Sequence, residues 1–83
     1  PLERVRTRAK AVARLVDLLG ERTNGKPFRV AVLHANAEEE ARAMLKLVTD
    51  RFSTIEQVIA PVSPVVGTHV GPGTLGLVWM TEA

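Results

Sequence analysis

The chain has 83 residues and no cysteine, so it is at most one domain and can form neither a disulfide framework nor a cysteine zinc site. Its formal net charge of +2 is too small to predict nucleic-acid binding, although the sequence pI is near 9.7. No apolar run approaches the roughly 20 residues that span a bilayer. With no signal-like segment, we expect a cytoplasmic protein with at most peripheral membrane contact.

The first predicted element is a helix with one apolar face. The residues that share this face have the i, i+4, i+7, i+11, i+14 spacing: Val5, Ala9, Val12, Val16 and Leu19. Asn24 and Gly25, followed by Pro27, predict the end of the helix.

A strand, a helix and a second strand follow. Residues 28–34 have a continuously apolar middle, which favours a parallel strand covered on both faces. We expect Asn36 to cap the next helix, with Glu38, Glu39 and Glu40 in its first turn. The predicted buried stripe of that helix comprises Ala41, Met44, Leu45, Val48 and Phe52. Residues 55–62 predict the second strand of a βαβ unit.

The last part of the chain predicts a short helix and a third strand. Ser63 followed by Pro64 is typical of a helix start, and the turn would end near Thr68. Residues 74–80 then form a strand with Leu75, Leu77 and Trp79 on one face. Three strands and two full helices cannot cover both faces of the sheet, so we expect an exposed apolar surface. Further polypeptide or a second copy would cover it.

The loop Gly-Thr-His-Val-Gly-Pro-Gly at positions 67–73 is the strongest candidate for a site. Gly67, Gly71 and Gly73 allow positive φ and close approach of a ligand, while Thr68 and His69 can donate hydrogen bonds. A tight connection into a buried strand explains the same residues equally well. A phosphate-binding P-loop does not fit, because these glycines precede a strand and no lysine follows them.

Other polar residues are weaker candidates. His34 ends a strand, where ligands of open α/β sheets gather, although a lone histidine there is more often structural. The glutamates at 38–40 are adjacent on a helix and point in different directions, which favours a solvated helix start over a metal site. Arg4 and Arg6 belong to a basic cluster that is either a solvated face or a docking patch for an acidic or phosphorylated partner.

Three segments carry a resemblance to a known family. Val-Arg-Thr-Arg at 5–8, Val-Ala-Val-Leu-His-Ala at 30–35 and, above all, Ser-Pro-Val-Val-Gly-Thr-His-Val-Gly-Pro-Gly-Thr-Leu-Gly at 63–76 resemble the C-terminal portion of DegV-family proteins. These are bacterial fatty-acid-binding proteins that serve as lipid-carrying subunits of fatty acid kinase. The resemblance covers essentially the whole chain, and its specific part is the glycine-rich loop.

The resemblance implies a fold and a function. The fold is an α/β, DegV-like C-terminal lobe, ordered helix-strand-helix-strand-short helix-strand, with a mostly parallel sheet. The lobe is a fragment of a two-lobed protein that buries a fatty acid, and residues 1–83 lack the N-terminal lobe whose hydroxyls hold the carboxylate. A separate kinase subunit phosphorylates that carboxylate to an acyl phosphate, so the carrier itself is not an enzyme and needs no cofactor.

The resemblance also assigns residues. His69, with Thr68 and the backbone of Gly67, Gly71 and Gly73, would lie near the carboxylate. Arg4 and Arg6 would contact the kinase or the acyl phosphate. The alternative is a small oligomeric α/β enzyme that uses His69 as an acid–base or phospho-accepting residue. No carboxylate near His69 in the sequence could orient the imidazole, which weakens this alternative.

Overall fold

The computed structural model describes residues 2–6, 9–63 and 71–81. Within these ranges the elements are β1 (Leu2–Arg6), α1 (Ala9–Thr23), β2 (Phe28–His34), α2 (Glu38–Arg51), β3 (Thr54–Pro61) and β4 (Thr74–Thr81). The strands form one sheet in the order β1-β4-β2-β3. No helix in the described ranges is long and apolar enough to cross a membrane. The predicted α/β class is confirmed.

The N-terminal segment differs from the prediction. The helical pattern was expected to begin at Val5, but Leu2–Arg6 is a strand and the helix begins at Ala9. β1 pairs antiparallel with β4, so Val5 lies opposite Leu75. Pairing with a strand from the far end of the chain outweighs the local spacing, because it satisfies the backbone groups of β1 that face β4.

The sheet is mixed, which corrects the expectation of a mostly parallel sheet. β2 and β3 pair in parallel through α2, as predicted, whereas β4 pairs antiparallel with both β2 and β1. The reason lies in how the chain enters β4. Val62 N–H donates to the carbonyl of His34 at 2.8 Å, and Gly73 N–H donates to that of Ala35 at 2.8 Å. The connection thus begins and ends where β2 ends, so β4 must run back along β2.

Both helices pack on one face of the sheet. Along β2, buried residues alternate with exposed or half-buried ones, which shows that only one face is covered. The expectation that β2 is covered on both faces is therefore wrong, since Ala31 and Leu33 are only half-buried. The core between helices and sheet contains Leu15, Val16, Leu19, Phe28, Val30, Val32, Ala37, Ala41, Met44, Val48, Leu75, Leu77 and Trp79.

The opposite face of the sheet carries no helix among the described residues. It includes Val58, whose exposure is 44%, and Met80, whose exposure is 65%. We call this surface the open face. The predicted exposure of an apolar sheet surface is confirmed, and a hydrophobic surface of this kind is typical of one that contacts further polypeptide or a ligand.

Helix ends agree with the sequence in one case and not in the other. α1 ends at Thr23, and Asn24 and Gly25 adopt φ of 51° and 78°, as their residue types favour. α2 begins after Ala37, and Asn36 has φ of 54°. Asn36 therefore is not the predicted cap, because its backbone turns the chain between β2 and the helix instead.

The short helix predicted to run from Ser63 to about Thr68 lies largely in residues 64–70, outside the described residues.

Candidate functional site

Three strands end at one edge of the sheet, and β4 begins there. Arg6 is opposite Thr74, and His34 lies between Leu75 and Pro61 in the neighbouring ladders. We call this the carboxyl edge. In open α/β sheets the carboxyl ends of strands are where ligands bind, so the topology directs attention here.

Backbone hydrogen bonds fix both ends of the glycine-rich connection to β2. Val62 N–H donates to the His34 carbonyl at 2.8 Å, which holds the start of the connection. At its other end, Gly73 N–H donates to the Ala35 carbonyl at 2.8 Å, and Ala35 N–H donates to that of Thr74 at 3.0 Å. The connection therefore emerges from the carboxyl edge and returns to it.

Two of the predicted loop glycines lie in the described part of this connection. Gly71 and Gly73 have φ of 88° and 84°, a region that glycine adopts without the penalty of a Cβ. A turn into β4 that needs positive φ twice explains why glycine stands at both positions. Gly67, Thr68 and His69 lie outside the described residues, so their contact with a ligand stays a prediction.

His34 is buried at the carboxyl edge and has a defined partner. Its side chain is at the end of β2, the residue is 6% exposed, and its Nδ1 accepts the N–H of Ala37 at 3.1 Å. This bond satisfies an N–H at the start of α2, a task that the sequence assigned to Asn36. Histidine is not among the usual capping residues, so residue type gave no signal for it.

Arg4 and Arg6 are placed by their backbone register in β1. Arg6 is opposite Thr74 at the carboxyl edge, whereas Arg4 is opposite Gly76, two residues farther along the strand. The strand thus brings Arg6 to the edge where the glycine-rich connection begins and ends. A role in partner docking stays a prediction for both residues.

The open face holds a groove of about 620 Å³, which the sequence did not indicate. Arg29 and Glu56, neighbours on β2 and β3, both line it and form an ion pair at 3.5 Å, and both side chains are partly exposed. The groove is lined by Arg22, Arg29, Val30, Ala31, Glu56, Val58, Val78, Trp79, Met80 and Thr81. Because Arg29 is opposite Met80, this groove lies toward the end of the sheet remote from the carboxyl edge.

The acidic start of α2 behaves as a solvated helix end. Glu38, Glu39 and Glu40 are exposed, and Glu38 pairs with Arg42 one turn later at 3.2 Å. In the described ranges, no three His, Asp or Glu side chains are grouped in a way that could hold a metal ion.

Comparison with known proteins gives a consistent result. A family model described as "Uncharacterised protein, DegV family" matches residues 1–82. The chain belongs to the DegV family. Protein DegV of Bacillus subtilis is 41% identical over 80 residues, which are 95% of this chain and 28% of that protein. A fatty acid-binding protein of Thermotoga maritima is 35% identical over 77 residues, 92% of this chain and 27% of its own length.

Solved DegV structures share the fold. The B. subtilis DegV structure, described as that of a fatty acid binding protein, matches with a TM-score of 0.78 and 39% identity over 94% of this chain. A DegV lipid binding protein from T. maritima matches with a TM-score of 0.79 and 33% identity over 87% of this chain. The chain covers 28% and 26% of these two structures. It thus spans less than a third of the DegV proteins that it matches.

Proposed function

We propose that residues 1–83 are the C-terminal lobe of a fatty-acid-binding carrier. The observation that carries this proposal is the match, over 94% of the chain at 39% identity, to a DegV structure described as that of a fatty acid binding protein. The remainder of the protein would be an N-terminal lobe, in keeping with the 28% of that structure that the chain covers.

The open face supports the apolar half of this function. Fatty-acid binding needs a surface that removes an acyl chain from water, and each buried methylene contributes about 0.8 kcal/mol. Ala31, Val58, Val78 and Met80 supply apolar atoms to the groove on that face. We propose that this surface either lines the acyl chain or packs against the N-terminal lobe.

The carboxyl edge supports the polar half. A carboxylate that leaves water needs hydrogen-bond donors, because an unpaired buried charge costs several kcal/mol. Gly71 and Gly73 turn the backbone at this edge, and Thr68 and His69 belong to the same connection. We propose that His69 and the backbone of this loop, with Thr68 and Gly67, contact the fatty-acid carboxylate.

The carrier would present its ligand to a second protein. We propose that a separate kinase subunit transfers phosphate from ATP to the bound carboxylate, giving an acyl phosphate, and that this lobe performs no catalysis itself. Arg4 and Arg6 would contact the kinase, since arginines are suited to carboxylate and phosphate groups on a partner.

The test is direct detection of the ligand. We expect mass spectrometry of an organic extract of the longer protein to give close to one fatty acid per chain. The control is the same protein after delipidation and reloading with a labelled fatty acid, which should restore one equivalent. A protein that yields no lipid and takes up no labelled fatty acid would contradict the proposal.

A further inference from the structure

The side chain of His34 has one nitrogen whose role the fold explains and one whose role it does not. Nδ1 accepts the N–H of Ala37 at 3.1 Å, and an accepting nitrogen carries no proton. The neutral ring therefore carries its proton on Nε2, which is a hydrogen-bond donor. The helix start thus fixes both the orientation of the ring and its tautomer.

The Nε2 donor keeps contact with the surface. In the part of the chain that the structure describes, no side-chain nitrogen or oxygen is both fully buried and without a partner. Within those residues, the hydrogen bond of this ring is the one that Nδ1 accepts from Ala37. Because the residue is only 6% exposed, its Nε2–H is a largely buried donor that keeps limited access to the surface.

The position of this donor is at the carboxyl edge. His34 lies in the strand between Leu75 and Pro61, and its own carbonyl and that of Ala35 hold the two ends of the glycine-rich connection. A fixed donor with little competing water is suited to an anionic group, since hydrogen bonds to charged groups are stronger than neutral ones. The glutamates at the start of α2 carry negative charge that would disfavour an anion. Their side chains are exposed to solvent, and Glu38 is paired with Arg42.

We propose that His34 is a head-group-binding residue, whose Nε2–H donates a hydrogen bond to the carboxylate of the bound fatty acid. This inference rests on the proposed function and adds a residue that the sequence treated as mainly structural. It gives one side chain two tasks, in which Nδ1 holds the start of α2 and Nε2 contacts the ligand.

Two substitutions separate these tasks. In His34→Asn the side-chain oxygen can take the place of Nδ1 as acceptor for Ala37, while the donor at the Nε2 position is lost. In His34→Gln the amide nitrogen can reach the Nε2 position, while the acceptor near Ala37 is lost. A role confined to the helix start predicts that Gln is the more harmful change for both stability and binding.

The experiment compares a long-chain fatty acid with the primary alcohol of the same chain length, using the delipidated longer protein. We expect wild type to prefer the acid and His34→Asn to bind the acid about tenfold more weakly, with little change for the alcohol. His34→Gln should unfold at a lower temperature than His34→Asn while it retains more of the preference for the acid. Circular dichroism of both variants checks that the folded state is being measured.

The results distinguish an error in the His34 contact from an error in the proposed function. If His34→Asn binds the acid as wild type does, or loses acid and alcohol equally, the proposed contact is wrong although fatty-acid binding stands. If wild type binds neither ligand, the proposed function is wrong and this inference with it.

Discussion

At the residue scale, the glycines that enter β4 are explained by backbone conformation. Gly73 has φ of 84°, and its N–H is bonded to the carbonyl of Ala35, so most other residues would be strained at this position. Gly25 has a similar φ of 78° in the turn after α1, and a Cβ added there would meet no atom within 4 Å. A side chain added at Gly25 or at Gly73 should therefore cost a similar amount of backbone strain, so Gly25 serves as the control for Gly73.

We expect Gly73→Ala and Gly25→Ala to destabilise the fold by similar amounts, about 1–2 kcal/mol each, because both place a Cβ at positive φ. Only Gly73→Ala should also weaken fatty-acid binding, since it alone alters the connection at the carboxyl edge. Thermal unfolding and fatty-acid titration of both variants in the longer protein check this. Equal affinity in the two variants would separate the connection from ligand binding.

His69 is the other residue on which the proposed site depends. We expect His69→Ala to weaken fatty-acid binding by about tenfold, because a hydrogen bond to a carboxylate is lost, while the unfolding temperature changes little. Titration with a fatty acid gives the first quantity, and circular dichroism on heating gives the second. Unchanged affinity and unchanged phosphorylation would remove His69 from the site.

At the element scale, the sequence predicted the elements whose patterns are local. In the predicted stripe of α2, Ala41, Met44 and Val48 are buried as expected, whereas Leu45 and Phe52 are only half-buried. Leu75, Leu77 and Trp79 face the core from β4. β1 was missed because its five residues have no clear alternation, and its only pairing partner in the described sheet lies near the other end of the chain.

The direction of β4 also could not be predicted from the local sequence. Strand patterns do not distinguish parallel from antiparallel pairing, and the deciding contacts are backbone bonds from Val62 and Gly73 to the end of β2. The candidate site was predicted in the same uneven way. The glycines at 71 and 73 correctly predicted positive φ. No residue pattern predicted that the His34 side chain would accept the N–H of Ala37 at the start of α2.

Arg4 and Arg6 both lie in β1, and the prediction that they contact a kinase partner can be tested by substituting the two together. We expect the double change Arg4→Glu and Arg6→Glu in the longer protein to slow phosphorylation of the bound fatty acid at least tenfold, while fatty-acid affinity changes less than twofold. The physical reason is repulsion of a partner surface that favours positive charge. Phosphorylation at several kinase concentrations measures the effect.

The matched control for these arginines has the same change in net charge elsewhere. Arg14 and Arg42 are exposed on α1 and α2, so Arg14→Glu with Arg42→Glu should leave phosphorylation near the wild-type rate. If both double variants slow the reaction equally, the effect is one of overall charge. Equal loss of lipid binding and phosphorylation in the first variant would instead indicate a damaged fold.

At the scale of the whole molecule, the distribution of apolar surface distinguishes the two faces. Val58 on the open face and Leu47 on α2 have the same exposure of 44%, yet only Val58 lies beside other apolar groups in the groove. Isolated apolar residues at a surface are ordinary, whereas a contiguous patch indicates contact with something else. Comparing substitutions at Val58 and Leu47 therefore tests whether the open face is covered in the longer protein.

We expect Val58→Lys to destabilise the longer protein by about 1–3 kcal/mol, because it places a charge in a covered surface, while Leu47→Lys changes stability by less than about 0.5 kcal/mol. If the isolated 83-residue segment self-associates through the open face, Val58→Lys should reduce that self-association. Chemical unfolding and sedimentation velocity measure the two effects. Identical behaviour of the two variants would show that the open face is solvated in the complete protein.

The pairing of β1 has a consequence for the order in which the chain assembles. Within residues 1–83, β1 is synthesised well before its register partners, residues 74–78, and β4 separates it from β2. β2, α2 and β3 form a contiguous unit whose pairings are closer in sequence, and closing long loops slows folding. We therefore expect β1 to join the sheet after β2, α2 and β3 have formed, so that the proposed docking role of Arg4 and Arg6 would begin only once the carboxyl edge is built.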